Sequence, residues 1–435
     1  MSNCVTARNG ISKVSQLQRI LYFKSKQEVN CKFYSLYDKV YRTDVLQEAW
    51  RQVKANKGAA GNDGVTIEQI ITTGYEEEMI NELQQGLKDQ SYKFSSIRQV
   101  AIPKPKGGTR LLGIATVKDR VVQTAMKIII EPIFEADFYD CSYGYRPRRN
   151  AKQASLAIKE DLYDRATTVV EIDFESYFDS MPHGNLLVLI KQRISDGAML
   201  KLIKQTLKVD IDKPGNQKRV KIGVPQGSPI SPLYSNIYLN LIDQIWHKMK
   251  YPWKLHRFAD DVILVCQSDG YKALKKFKEI AERLSLKLNQ SKTKVTRLVE
   301  GFDFVGFNFI KRQSPTSGKN TIYIFPAKPS EQKIRNSIKY KTSWRAPIQP
   351  EEFVEQVNAM VRGWTNYYLH TNASRAFGKL QRFINIRFRR YLHRRSKGRG
   401  YGWRHYPNSK LYEKGIIYIA SGLLEYLQKP VNGLR

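Results

Sequence analysis

Residues 255–266 read Leu255-His256-Arg257-Phe258-Ala259-Asp260-Asp261-Val262-Ile263-Leu264-Val265-Cys266, and the paired carboxylates inside this mostly apolar run decide how the chain is read. Side chains alternate along a strand, so neighbouring aspartates cannot share one face of a regular strand. The pair fits the tight turn of a β-hairpin, where the ladder can open. Two unpaired carboxylates on such a turn are an electrostatic cost that a cation offsets. A third carboxylate, Asp173, stands at the end of the β-branched run Thr167-Thr168-Val169-Val170-Glu171-Ile172. Three carboxylates on two adjacent strand ends are what two-metal phosphoryl transfer needs: one Mg²⁺ lowers the pKa of the attacking hydroxyl and the other stabilises the leaving group. An isolated Asp-Asp in a hairpin is more often a solvated turn, so the surrounding sequence must carry the case.

The chain has 435 residues, with 73 Lys and Arg against 40 Asp and Glu, a formal net charge of +33. Such an excess repels itself in a compact state unless an anionic partner is usually present. Nucleic acid fits best, because counterion release from phosphates rewards many Lys and Arg contacts. A membrane-surface role is the rival, and the sequence shows no apolar run near membrane-spanning length, no signal-peptide core and no lipidation motif. The expectation is therefore no membrane partner. Cys4, Cys31, Cys141 and Cys266 include no CxxC pair, which argues against a zinc ribbon or disulfide framework and for a reducing cytoplasm.

Strand and helix signals alternate through most of the chain. Residues 1–35 carry helical spacing at Leu17, Ile20, Leu21 and Phe23, and 36–90 look helical around a glycine-rich loop at 57–64. Ile97–Pro103 and Leu111–Ile114 read as strands around a basic glycine turn, with helices at about 117–138 and 149–164 after them. The Asp173 strand precedes helices near 183–207, a short hairpin around Pro214-Gly215-Asn216, and a helix over about 230–249. The aspartate hairpin, a helix at 271–286 and short strands at 294–310 and 321–325 complete this region. From about 330 strand signals vanish and helical spacing takes over, with Trp344, Phe353, Val357 and Val361 as anchors. Between Lys379 and Arg404 there are ten Lys and Arg, no acidic residue and interleaved aromatics, a pattern suited to RNA. We expect an N-terminal extension and start of the fingers at 1–90, fingers and palm at 91–328, and a helical thumb with a basic segment at 329–435.

The terms fingers, palm and thumb come from a resemblance. The blocks IPKPKGGTRLLGIATVKDRVVQ (102–123), SYGYRPRRNAKQA (142–154), EIDFESYFDSMPH (171–183), GVPQGSPISPLYSNIYLN (223–240), RFADD (257–261), LKLNQSKTK (286–294), FVGFNF (304–309) and RGWTNYY (362–368) stand in one order. With that order and spacing the chain resembles a group II intron-encoded reverse transcriptase, or maturase, over residues 36–420. The resemblance implies an α+β right-hand polymerase with a C-terminal helical thumb, called domain X.

It also implies roles. Asp173, Asp260 and Asp261 would hold two Mg²⁺ ions, Asp261 being the least certain direct ligand, and Phe174 would add its backbone carbonyl. Phe178 would be the steric gate that excludes a ribose 2′-hydroxyl, the bland alternative being that Tyr177 or Phe178 is a core anchor. Lys104 and Arg110 would contact the dNTP phosphates, with Lys106 a rival for the lysine role, and Gln226 would contact the dNTP sugar or the primer strand. Ser228 stands where most relatives carry Gly, so a hydroxymethyl group is expected close to the templating base. Lys292 matches a lysine proposed as general acid for the pyrophosphate. Phe304 and Gly306 belong to a primer-grip hairpin, and Arg146, Arg148 and Arg149 are expected along the template backbone. Arg362, Arg387, Arg390 and Arg394 are the thumb candidates for RNA contact, while Trp364 and Tyr368 read as thumb core.

The partners expected from this reading are group II intron RNA, as template and splicing partner, a DNA primer or target, and dNTPs. The place of action would be the bacterial cytoplasm, at the nucleoid when bound to target DNA, or an organelle. No paired cysteines of an HNH-type endonuclease are present, so such a domain is expected to be lacking. Two alternatives remain: a splicing maturase with a vestigial polymerase, and a domesticated reverse transcriptase of defence or repair.

Overall fold

The structure is a computed structural model that describes residues 12–103, 108–213, 216–218, 222–342, 348–396 and 398–419. Lys104, Lys106, the turn residues Pro214 and Gly215, and Trp344 lie outside the described residues.

In chain order, helices α1 (Lys13–Gln27), α2 (Tyr37–Val40), α3 (Thr43–Ala55), α4 (Ile67–Thr72) and α5 (Glu76–Lys88) precede strands β1 (Ile97–Pro103) and β2 (Thr109–Ile114). Then come α6 (Val117–Glu135), α7 (Ala151–Tyr163), β3 (Thr168–Ile172), α8 (Tyr177–Ser180), α9 (His183–Lys191) and α10 (Gly197–Leu207). Strands β4 (Ile211–Lys213) and β5 (Asn216–Lys218) lead to α11 (Ser231–Lys248), the hairpin β6 (Lys254–Phe258) and β7 (Asp261–Cys266), and α12 (Gly270–Arg283). The chain continues with β8 (Lys294–Arg297), β9 (Phe302–Phe304), β10 (Phe307–Gln313), β11 (Asn320–Pro326), α13 (Lys328–Lys341), α14 (Pro350–Tyr368), α15 (Ser374–Arg395) and α16 (Asn408–Glu413). The sheets have the strand orders β2-β1-β4-β5, β6-β7-β3-β8 and β11-β10-β9.

The chain divides into two compact units: residues 1–150, 172–262 and 272–294, and residues 151–171, 263–271 and 295–435. In the first, α6 is the central post. Its N-cap Thr116 accepts from the Asp119 backbone N–H at 3.1 Å, and Val121, Val122, Ala125, Met126, Ile129 and Ile133 are all buried. A helix apolar on nearly every side must be covered all round, and α1 and α3 pack on it. The helical spacing at Leu17, Ile20, Leu21 and Phe23 falls in α1, where Ile20 and Phe23 are 63% and 51% exposed while Val14, Leu21 and Ser25 are buried. The rotation of α1 is set by polar bonds that apolar spacing does not register, since Ser25 Oγ donates to the Ile133 carbonyl at 2.8 Å and Gln18 Nε2 to that of Ile128 at 3.2 Å.

In the second unit, β9, β10 and β11 form an antiparallel sheet in which Phe307 pairs with both Phe304 and Pro326. Among the helices after it, Phe353 packs against Phe388 and Tyr391 at ring distances of 4.9 and 4.8 Å, and Val357 and Val361 are fully buried. Phe353, Val357 and Val361 are thus the core anchors their spacing predicts.

Asp196 ties distant segments of the first unit. It caps α10 through the Met199 N–H at 3.0 Å and accepts from the Leu36 and Tyr37 N–H groups at 2.7 and 2.8 Å. Burial alone would raise its pKa, but these backbone donors outweigh burial and hold it below the usual carboxylate value. A depressed carboxylate stabilises the fold above its unfolded pKa and loses that contribution as pH falls through the folded value. Asp196→Ala is expected to cost about 2 kcal/mol in urea unfolding at pH 7, with the gap to wild type shrinking in the acid range.

Candidate active site: a carboxylate cluster on a left-handed turn

The hairpin turn falls one residue earlier than the Asp-Asp pair. Ala259 and Asp260 form the turn, with Ala259 left-handed at φ 57°, and Asp261 opens β7. The reversal places both carboxylates beside Asp173, which follows the last residue of β3. The backbone at Asp173 is fixed by the segment after α12. The Asn289 N–H donates to the Asp173 carbonyl at 2.8 Å, the Asp173 N–H to Thr293 Oγ1 at 3.3 Å, and Phe174 forms an antiparallel bridge with Leu288.

The surroundings of the cluster work against full ionisation of its carboxylates. Burial, and secondarily Asp173, raises the pKa of Asp260, although Arg110 and Lys292 pull it back. Asp261 is exposed at the start of β7, yet desolvation by the groups packed around its carboxylate, then Asp260 and Asp173, raises it to about 6. Lys292 Nζ meets Asp173 Oδ2 at 2.5 Å. Among the described residues no three His, Cys, Asp or Glu side chains are arranged to hold a metal ion as they stand. The donors nonetheless suit one, because three crowded hard-oxygen carboxylates, two of them resisting ionisation, carry the charge a hard dication offsets.

Other expected residues converge on the same unit. Arg110 Nε donates to Gln226 Oε1 at 2.7 Å, joining positions 116 residues apart, and the Gly113 N–H donates to the Gln226 carbonyl at 2.7 Å. Tyr177 and Phe178 are both buried, 2% and 7% exposed, and the Tyr177 hydroxyl donates to the Ser235 carbonyl at 2.9 Å. Phe178 packs edge-on against Tyr177 at 5.4 Å.

Several expectations are corrected by burial. Arg146 is 8% exposed and its guanidinium is spent on Glu135 and the carbonyls of Tyr139 and Ser142, which leaves no fork for a template phosphate. Arg149 pairs with Asp140, whereas Arg148 is exposed. Ser228 is buried, and its hydroxyl donates to Gln123 Oε1 at 2.6 Å instead of facing a base. Phe304 is a buried sheet residue, and Gly306 is left-handed with its carbonyl accepting from the Tyr368 hydroxyl at 2.9 Å. Tyr368 is buried, whereas Trp364 is half-buried, its indole N–H donating to Ser330 Oγ at 3.3 Å.

In the basic stretch, half-buried Arg387 bonds the carbonyls of Lys339 and Thr342 at the end of α13, as a C-terminal cap does. Arg390 lies over the Tyr401 ring at 4.9 Å, while Arg362 and Arg394 are exposed. Sequence reasoning passed over Asn236, Asp243 and Arg257, which meet beside the Ala259-Asp260 turn. The one signal was a charged Arg257 directly before Phe258-Ala259-Asp260-Asp261 in a mostly apolar run.

With this geometry in hand, the comparisons decide the family. Residues 102–309 match the family described as reverse transcriptase (RNA-dependent DNA polymerase), and residues 330–408 match the group II intron, maturase-specific domain. Protein YkfC of Escherichia coli is 31% identical over 78% of this chain and 98% of its own length. The chain belongs to the group II intron reverse transcriptase and maturase family. The group II intron-encoded protein LtrA of Lactococcus lactis is 33% identical over 62% of this chain, a match spanning 44% of LtrA. A putative COX1/OXI3 intron 2 protein of Saccharomyces cerevisiae is 29% identical over 46% of this chain and 23% of that protein. Membership of the group II intron family gives the palm-and-fingers polymerase fold, seen here as mixed helix and sheet. It also implies intron RNA as a binding partner. No helix among the described residues is long and apolar enough to cross a membrane.

A raised carboxylate destabilises the fold as pH climbs from its unfolded value of 3.8 towards the folded one near 6. Removing that charge should therefore stabilise the metal-free protein. Asp261→Asn is expected to gain about 1 kcal/mol at pH 8, the shift being discounted for solvent screening, or about 1–2 °C in unfolding midpoint. The gain should vanish at pH 4. A midpoint below wild type at pH 8 in EDTA would contradict the crowding.

Proposed function

We propose that the protein is an RNA-directed DNA polymerase that also binds its parent group II intron RNA, assists its splicing and copies it into cDNA. The observation that carries the reading is the crowding of Asp173, Asp260 and Asp261 beside the joined pair Arg110 and Gln226. Two Mg²⁺ ions would lower the pKa of a primer 3′-hydroxyl and offset the charge of the leaving pyrophosphate. Asp173, Asp260 and Asp261 would hold them, with the Phe174 carbonyl as a further oxygen. Arg110 would present its planar fork to the triphosphate, with Lys104 as a movable charge. Gln226 would orient the sugar, and Phe178 would exclude a 2′-hydroxyl by overlap. Lys292, once released from Asp173, would give its proton to the pyrophosphate oxygen.

We assign residues 1–90 to an N-terminal extension and the start of the fingers, 91–328 to fingers and palm, and 329–435 to a thumb of the domain X type. Exposed Arg148, Arg362 and Arg394 are the cations we assign to nucleic acid. The setting would be a bacterial cytoplasm or an organelle, in a ribonucleoprotein with the intron.

Primer extension on poly(rA)/oligo(dT) with dTTP and Mg²⁺ tests the reading. Wild type should extend the primer, and Asp260→Asn should lose at least about 10³-fold in rate. Undiminished synthesis by Asp260→Asn would sink the site assignment, and no synthesis by a folded, RNA-binding wild type would favour a splicing factor without polymerase activity. Phe178→Ala should admit ribonucleotides, narrowing discrimination between dTTP and UTP by about 10²-fold in kcat/KM. Unchanged discrimination would return Phe178 to the core.

A further inference from the structure

Asp260 and Asp261 can act only if the turn that carries them holds one direction, and that turn is built on an unfavourable residue. Ala259 sits at φ 57°, a left-handed conformation that costs an L-residue with a Cβ energy and persists where the surroundings over-determine it. The surroundings here are a buried ionic node. Arg257 is 1% exposed, and its guanidinium donates from Nε and Nη2 to both oxygens of Asp243, which is equally buried. Nη1 donates to Asn236 Oδ1 at 2.9 Å and to the Ala259 carbonyl at 3.1 Å.

The other side of the turn is held by the same node. Asn236 Nδ2 donates to the Gly144 carbonyl at 2.9 Å. A Cβ on Gly144 would lie 2.3 Å from the Ala259 nitrogen, so only glycine allows this approach. The segment carrying Gly144 is stitched along β6, with Tyr143 N–H to the Arg257 carbonyl at 2.9 Å and Arg257 N–H to the Cys141 carbonyl at 2.8 Å.

We infer that Arg257, oriented by Asp243 and Asn236, is a positioning residue that locks Ala259 left-handed and so aims the carboxylates of Asp260 and Asp261. The inference deepens the polymerase reading, on which its kinetic consequences rest. An arginine is required because one planar fork must bind Asp243, Asn236 and the turn carbonyl together, which a lysine point charge cannot do.

The test compares Arg257→Lys and Asn236→Ala with Arg193→Lys. Arg193 is a matched control in the same unit: it is buried, bidentate to Asp137 at 2.7 Å, and bonded to the carbonyls of Ser25 and Val29, with no link to the turn. One readout is hydrogen exchange of amides 258–262 in the metal-free protein; the other is single-nucleotide insertion as a function of dTTP and Mg²⁺. Arg257→Lys and Asn236→Ala should speed exchange at the turn about tenfold or more and lower kcat by about 10–100-fold. They should raise the Mg²⁺ needed for half-maximal rate several-fold, with KM for dTTP changed less than about threefold. Arg193→Lys should lower the unfolding midpoint and leave exchange at the turn and Mg²⁺ dependence as in wild type.

If both test variants behave like Arg193→Lys, the positioning role is overturned. If Arg257→Lys does not fold, Asn236→Ala, which keeps the ion pair whole, decides on the same readouts. If wild type inserts no nucleotide, the polymerase reading fails separately. The exchange measurement then still decides the lock, which stands if protection of 258–262 is lost and falls if it is kept.

Discussion

Mutual repulsion among Asp173, Asp260 and Asp261 is the constraint around which the first unit is arranged. Desolvation and proximity disfavour the ionised state of the last two, yet the fold keeps them together. Holding like charges close requires backbone fixed from outside the cluster. The segment after α12 does this for Asp173 through Asn289 and Thr293, and the Arg257 node does it for the turn. The cations nearby, Lys292 and Arg110, soften the repulsion without filling the site. A pre-organised, under-compensated anionic cluster is what a hard dication seeks.

The excess of positive charge divides into two populations. One faces inward: Arg146, Arg193 and Arg257 each pair a carboxylate and also take up backbone carbonyls. Arg387 and Arg389 take up carbonyls of neighbouring segments, Arg389 also lying 3.7 Å from the Trp403 ring centroid. A guanidinium suits this work because its several donors lie in one plane and can close off irregular chain ends. The other population faces solvent, as at Arg148, Arg362 and Arg394. Net charge therefore speaks for an anionic partner of the whole chain, whereas the contact residues must be read from exposure.

Much of the fold was legible along the chain. The strands around the aspartate hairpin, the long buried helix after Thr116 and the helical C-terminal region all followed from apolar period and turn residues. The hairpin itself was misread by one residue, because the strand-turn boundary depends on Ala259 adopting a left-handed conformation that no local preference favours. The buried face of α1 was not legible, because Ser25 and Gln18 fix its rotation through hydrogen bonds to α6.

The sequence by itself determined the family and the chemistry proposed for it: three carboxylates in their blocks, an arginine and a glutamine in two others, and a basic helical end. Those are properties of residue identity and order. Tertiary structure alone decided which groups are available for that chemistry. It joined Arg110 to Gln226, turned Ser228 inward to Gln123, withdrew Arg146 from solvent, tied Arg387 to the end of α13, and placed Arg257 under the turn. The physical reason is that a polar side chain's role depends on which partners lie within hydrogen-bond reach once water is excluded, and those partners come from segments far apart in the chain.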